Sequence, residues 1–233
     1  MTRKPKIDNA LLKRLARTEQ KRQEGTRSKR VRFLIVSEGI KTEPNYFIAL
    51  RDNLPLGTLS IIEVQGLGKE TIRIIDEAIA IRDRCQKKYD RIWAVFDRDS
   101  FPAKNFNAAI NKAERNDIKC AWSNEAFELW FLLHFQFVNH SMGRSDYKAY
   151  LQREVRKVIK GYKYKKNSTE TYKLLQNVGN QGQAIKWARQ LELNFIDHKY
   201  DKHNPCTKVH LLIEEINNPE KILEEIELIE NAE

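Results

Sequence analysis

The stretch "VRFLIVSEGIKTEPNYF", residues 31 to 47 of a 233-residue chain, changes character at its centre. Its first half is a compact apolar run ending in Gly39, which reads as a buried strand. Its second half opens the segment "TEPNYFIALRD", which reads as a helix. Thr42 is the candidate cap, and Pro44 sits in the first turn, where its missing N–H costs nothing. A strand passing at once into a helix is one βα unit.

Working outward, the unit repeats. "LSIIEVQ" predicts a second strand from about Leu59 to Gln65, and Lys69 to Gln86 an amphipathic helix with Ile72, Ile75, Ile79 and Arg82 around one face. "RIWAVFDRD" is a third strand with acids at its end, "NFNAAINKAERN" a helix, and "IKCAW" a fourth strand. "NEAFELWFLLHF" follows as an apolar helix capped by Ser123 or Asn124. Repeated βα units predict an α/β fold with a mainly parallel four-stranded sheet over residues 31–140 and helices on both faces. After about Gln136 no strand is expected. Helices at 145–160, 168–178, 181–196, 206–216 and 219–230 predict a helical extension, 141–233, packing on the sheet, with "GYKYKKNST" at 161–169 as a basic link.

Lys and Arg number 42 against 32 acids, a net charge of +10, and the excess is uneven. Residues 1–32 hold twelve Lys/Arg against three acids, residues 144–173 hold ten against three, and the last twenty residues hold eight glutamates and one lysine. Two basic blocks predict a polyanionic partner, a nucleic acid, because clustered cations release counterions from a phosphate backbone. Residues 1–30 read as a basic arm that orders on a partner or merely solubilises the chain. Cys85, Cys120 and Cys206 are odd in number and widely spaced, so they provide neither a disulfide framework nor a zinc motif. With no apolar run of bilayer-spanning length and no signal peptide, the expectation is a soluble cytoplasmic protein without membrane contact.

In a parallel sheet, ligands bind beyond the carboxyl ends of the strands, and the acids gather there. Glu38 ends the first strand. Asp97 and Asp99 end the third, where residues two apart project to the same side. Such carboxylates are hard oxygen ligands suited to magnesium, which can activate a water and neutralise a scissile phosphate. Acids that merely cap helices after strands are the competing reading. Arg98, between the aspartates, should point the other way as a pairing residue. Lys41 can bind phosphate and Glu43 can add ligation, or both are solvated helix-start residues. Glu128, among large apolar residues, needs a metal or an ion-pair partner, and it is the fourth site candidate. His134 falls on a different helix face from Glu128 and reads as a core-edge residue. His198, His203 and His210 lie in or near a segment, "NPCTKVH", expected to dock the following helix on the sheet. "QGLGKET" at 65–71 fails as a phosphate loop, since Glu63 and Glu70 stand where glycine and Ser/Thr are required. Among the basic and aromatic residues of the second block, the Tyr162 to Lys166 loop is the candidate nucleic-acid contact, through Lys163, Lys165 and Lys166.

Four segments in order, "LIVSEGIKTEPNYF" at 34–47, "VFDRD" at 95–99, "SNEAFELWFLLHF" at 123–135 and "NPCTKVHLLIEEI" at 204–216, resemble the RloB family, also called AbiLii-like, of bacterial abortive-infection proteins. That family resembles the Toprim superfamily of topoisomerases, primases and overcoming-lysogenisation-defect nucleases, with a glutamate after the first strand and D-x-D after the third. Glu38, Asp97 and Asp99 match those positions. The resemblance implies a Toprim/Rossmann-like domain and a Mg2+ site that accepts Mn2+, with Glu38, Asp97 and Asp99 as catalytic residues; Glu128, from its buried setting, is added to them as the fourth catalytic candidate. It implies cleavage of RNA (tRNA included) or DNA in anti-phage defence, often beside an ABC-type ATPase. The alternative is a non-catalytic subunit that binds nucleic acid or the ATPase through a regulatory acidic site. One departure is Glu125, where the family commonly has proline. It is an extra ligand or an exposed first-turn residue favoured by the helix dipole.

Overall fold

The computed structural model describes residues 29–68, 71–98 and 102–232. The proposed N-terminal arm, up to residue 28, lies outside these residues, as does Asp99. The chain begins with β1 (Val31–Ser37), α1 (Thr42–Asp52), β2 (Ser60–Gly66) and α2 (Thr71–Arg84). It continues with β3 (Arg91–Asp97), α3 (Ala103–Glu114), β4 (Lys119–Asn124) and a short α4 (Glu128–Leu132). Then come α5 (Arg144–Arg156), α6 (Thr171–Val178), α7 (Gln181–Glu192), a 3-10 turn at Tyr200–Lys202, β5 (Cys206–Thr207), α8 (Val209–Asn217) and α9 (Pro219–Glu230).

The sheet runs β2-β1-β3-β4-β5, its first four strands parallel and β5 antiparallel to β4. The fold is therefore α/β with a mostly parallel sheet of five strands, one more than the spacing predicts. The extra strand is two residues long, too short for any periodicity to register, and it occupies the start of the predicted 206–216 helix. It pairs Ser123 with Thr207 and Asn124 with Cys206, and a Ser123 Oγ to Thr207 Oγ1 hydrogen bond of 2.9 Å joins the two strands. Ser123 and Asn124 thus close β4 and cap no helix. The expected docking of the "NPCTKVH" segment on the sheet takes this form. Thr42 is likewise the first helical residue of α1, with Lys41 in the cap position.

Side chains of β1 alternate between two cores, as the period of two requires. Phe33 and Ile35, with Trp93 and Val95 of β3, pack on the face covered by α1, α4 and the C-terminal helices. Leu34 and Val36, with Ala94 and Phe96, pack against α2 and α3. Apart from Arg32, whose N–H is held by the Asp90 carboxylate at 2.7 Å, every residue of β1 is buried. That is why the run reads as unbroken apolar sequence. Among the described residues, no helix is long and apolar enough to cross a membrane.

Candidate functional site

β1 and β3 are neighbours, with Ser37 in register with Val95, so β3 runs two residues beyond the end of β1. The Glu38 N–H extends their ladder, donating to the Val95 carbonyl at 2.9 Å, while the Glu38 carbonyl accepts from the Gly68 N–H at 2.9 Å. Glu38 and Asp97 therefore meet at the carboxyl edge of the sheet. The loop leaving β1 turns through Gly39 into α1, and a Cβ at Gly39 would collide with the Glu43 carboxylate. A side chain at position 39 would require the flexible Glu43 carboxylate to move from its place beside the strand end.

These elements enclose a cleft of about 420 Å³ lined by Glu38, Gly39, Ile40, Lys41, Thr42, Glu43, Asp97, Phe127, Glu128, Arg144, Lys166 and Asn167. Four carboxylates share it, and three are deeply buried: Glu43 is 7 %, Asp97 5 % and Glu128 2 % exposed. Arg144, at the start of α5, donates to Asp97 Oδ2 at 2.9 Å. Asp97 Oδ1 is buried with no hydrogen-bond partner in the structure. Tyr164 donates its hydroxyl to Glu128 at 3.1 Å.

Burial raises the Asp97 pKa well above the usual carboxylate range, and the neighbouring Glu43 and Glu128 charges push it further; the Arg144 guanidinium works against them. Burial likewise raises Glu43, with Glu128 adding to the effect, while its own backbone N–H, Lys166 and Arg144 oppose it. The Tyr164 hydroxyl is raised by burial and by the Glu128 charge. Such crowding is costly, and a multivalent cation would relieve it.

Of the residues expected from sequence, Glu38, Asp97, Glu128, Lys41 and Lys166 meet in this cleft. Glu43, which sequence left between ligand and solvated residue, is a buried member of it. Lys163 and Lys165 are exposed on the neighbouring loop and do not line the cleft. Glu125 is half-buried in the turn between β4 and α4, outside the cleft lining and not in the first turn of a helix. His134 is a core residue: it is 3 % exposed, its Nδ1 lies 2.9 Å from the Trp130 carbonyl, and burial lowers its pKa to about 4. His203 pairs with Asp197 at 2.8 Å, and His210 is fully buried beside the Thr207 carbonyl, with its pKa lowered by burial to about 4. Among the described residues, no three His, Cys, Asp or Glu side chains form a ready metal-ligating group.

Sequence reasoning missed Arg144 and Asn167. The signal for Arg144 was present, since a cation at a helix N-terminus opposes the dipole and calls for an acidic neighbour. Asn167 ties the basic link to α1. Thr42 Oγ1 donates to its side-chain oxygen at 2.7 Å, and the Asn45 amide donates to its carbonyl at 2.9 Å. Its φ of 66° is in the left-handed region, which Asn tolerates better than most residues.

No curated protein and no solved structure matches the chain. A family model does: the one described as RloB-like protein matches residues 33–216, most of the chain, and the chain therefore belongs to the RloB-like protein family.

Proposed function

We propose that this protein is a Mg2+-dependent nuclease of Toprim type, an effector of bacterial anti-phage defence that cuts RNA (tRNA included) or DNA. Asp97 carries the reading. It is a buried carboxylate at the carboxyl end of a parallel strand, one oxygen without a partner, in a cleft shared with Glu38, Glu43 and Glu128 and edged by Lys41, Arg144 and Lys166. The order of acids, a glutamate after the first strand and D-x-D after the third, supports the Toprim assignment.

The donor set fits a hard divalent cation, since every candidate ligand is a carboxylate oxygen. Glu38, Asp97 and Asp99 would hold Mg2+, or Mn2+ in its place, and Glu43 and Glu128 share the cleft with Glu38 and Asp97. When bound, the metal supplies Lewis-acid polarisation and neutralises charge developing on a phosphate. Lys41 and Lys166 neutralise the backbone on either side, and Tyr164 keeps the Glu128 carboxylate oriented. A cleft that only bound nucleic acid would gain nothing from buried carboxylates, which repel phosphate. This favours the catalytic reading over a non-catalytic, partner-binding subunit.

Incubation with tRNA, single-stranded RNA and plasmid DNA in Mg2+, Mn2+ or EDTA tests the proposal. Metal-dependent cleavage is expected, falling at least about 100-fold in Glu38→Ala and in Asp97→Ala. Activity that survives EDTA, or full activity in both variants, would overturn it.

A further inference from the structure

Arg144 stands where helix electrostatics disfavours it. It is the first residue of the 13-residue α5, so its charge faces the positive end of the helix dipole. The acid of that first turn, Asp146, accepts from the Gly143 N–H at 3.2 Å. Among the contacts of Arg144 is a hydrogen-bonded ion pair with Asp97 Oδ2, at 2.9 Å, and its charge also acts on Glu43. The two partners are unequal: the Asp97 side chain is 7 % exposed and that of Arg144 is 34 % exposed. The carboxylate is fixed at a strand end, whereas the Arg144 side chain is long and partly exposed, with its Nε buried and the remainder within reach of water. Lys41 and Lys166 also line the cleft, but neither is hydrogen-bonded to Asp97.

We infer that Arg144 is a transferable counter-cation. Without metal it neutralises Asp97; when a divalent cation takes Asp97, like-charge repulsion and exposure to water release the guanidinium to a non-bridging oxygen of the substrate phosphate. This rests on the metal-dependent reading above and adds to it a coupling between metal and substrate. Arg144 opposes metal binding while the cleft lacks a phosphate, and it favours metal binding once a phosphate accepts the displaced charge. Guanidinium suits that role because it remains charged and offers paired donors to phosphate.

The test measures Mn2+ affinity directly, by calorimetry and by loss of the free-ion spin-resonance signal, with and without a phosphorothioate oligonucleotide that resists cleavage. Arg144→Ala should bind Mn2+ about fivefold more tightly than wild type in the absence of oligonucleotide. In wild type the oligonucleotide should tighten Mn2+ binding by a similar factor, and in Arg144→Ala that coupling should vanish. Cleavage at saturating Mn2+ should fall at least about tenfold in kcat, with partial recovery in Arg144→Lys, which keeps the charge without the fork. Arg144→Gln, closer in size, repeats the affinity measurement should the alanine variant prove unfolded by circular dichroism. A residue that merely held Asp97 in place would, on removal, weaken Mn2+ binding; that result, or unchanged affinity, overturns the inference while leaving the metal site intact. If wild type itself binds no Mn2+ at millimolar concentration, the metal-dependent reading falls and the inference with it.

Discussion

A single carboxylate shows what burial at the cleft costs in stability. Asp97 is buried beside Glu43 and Glu128, and its pKa is raised in the fold. In the unfolded chain it titrates near the ordinary value of about 3.9. Below that pH the side chain is protonated in both states and costs nothing. As pH rises toward the higher folded value, the unfolded chain loses its proton first and the native state becomes relatively less stable. Asp97→Asn should therefore match wild type near pH 4 and be more stable at pH 7, by about 1 kcal/mol or a few degrees in melting temperature. Thermal melts across pH 4–8 check this; a variant less stable than wild type at pH 7 would show that the Arg144 pairing outweighs the burial.

Among the elements, the smallest places the most. β5 contributes two residues, yet they close the edge of β4 and launch α8, whose Leu212 and Ile213 enter the main core. Its hold on the sheet is a fully buried hydroxyl pair, Ser123 with Thr207, and Thr207 Oγ1 also accepts from the Val209 N–H at 3.3 Å. Thr207→Val keeps the shape but leaves the Ser123 hydroxyl and the Val209 N–H buried without that partner, at a cost of about 1–3 kcal/mol. Adding Ser123→Ala removes one of the orphans. The double variant should therefore lose less than the sum of the two single losses, as read from urea denaturation midpoints. Strict additivity would mean that the pair is not coupled. The basic link at 161–169 works in a similar way from the other side of the cleft. The Tyr164 N–H donates to Gln152 at 3.0 Å while Asn167 is tied to Thr42 and Asn45, so Lys166 is held between two anchored points.

At the scale of the whole molecule, one apolar cluster runs from Val31 at the start of β1 through α4, α5, α7 and α8 to Ile222 of α9. The described chain should thus unfold in one transition, with tryptophan fluorescence from the buried Trp93, Trp122 and Trp130 coinciding with the loss of helix signal. Its acid sensitivity follows from two buried histidines. His134 and His210 are held neutral, with pKa values lowered to about 4. The His134 contribution is present above the unfolded value of about 6.5 and is lost as pH falls toward 4, on the order of 3 kcal/mol; His210 contributes with the same sign, opposed by the Glu192 carboxylate at 3.2 Å. Measurement in an Asp97→Asn, Glu43→Gln background removes two carboxyls that titrate with the opposite sign, and the part of the loss above pH 5 precedes that of Glu192 and Asp197, whose lowered carboxyls titrate in the same direction as the imidazoles. No loss of stability between pH 6.5 and 4 there would mean that the imidazoles are not buried as described.

Much of the architecture was legible in the sequence because its signals are local. Apolar runs of strand length, helical spacing between them and acids at strand ends each depend on neighbours a few residues away. They sufficed for four parallel strands, for Glu38 and Asp97 at one edge, and for Glu128 as a buried acid. Tertiary packing alone decided the rest. Arg144 and Asn167 come from a segment far along the chain from β1 and β3, and they reach the cleft only because α5 and the link after it pack over α4 and α1. Glu43 becomes a buried acid because α1 places it in the cleft shared with Asp97 and Glu128. The two-residue β5 exists because Ser123 and Thr207 are each other's buried partners. Burial and long-range pairing are properties of the assembled surfaces, and no spacing along the chain encodes which surfaces will meet.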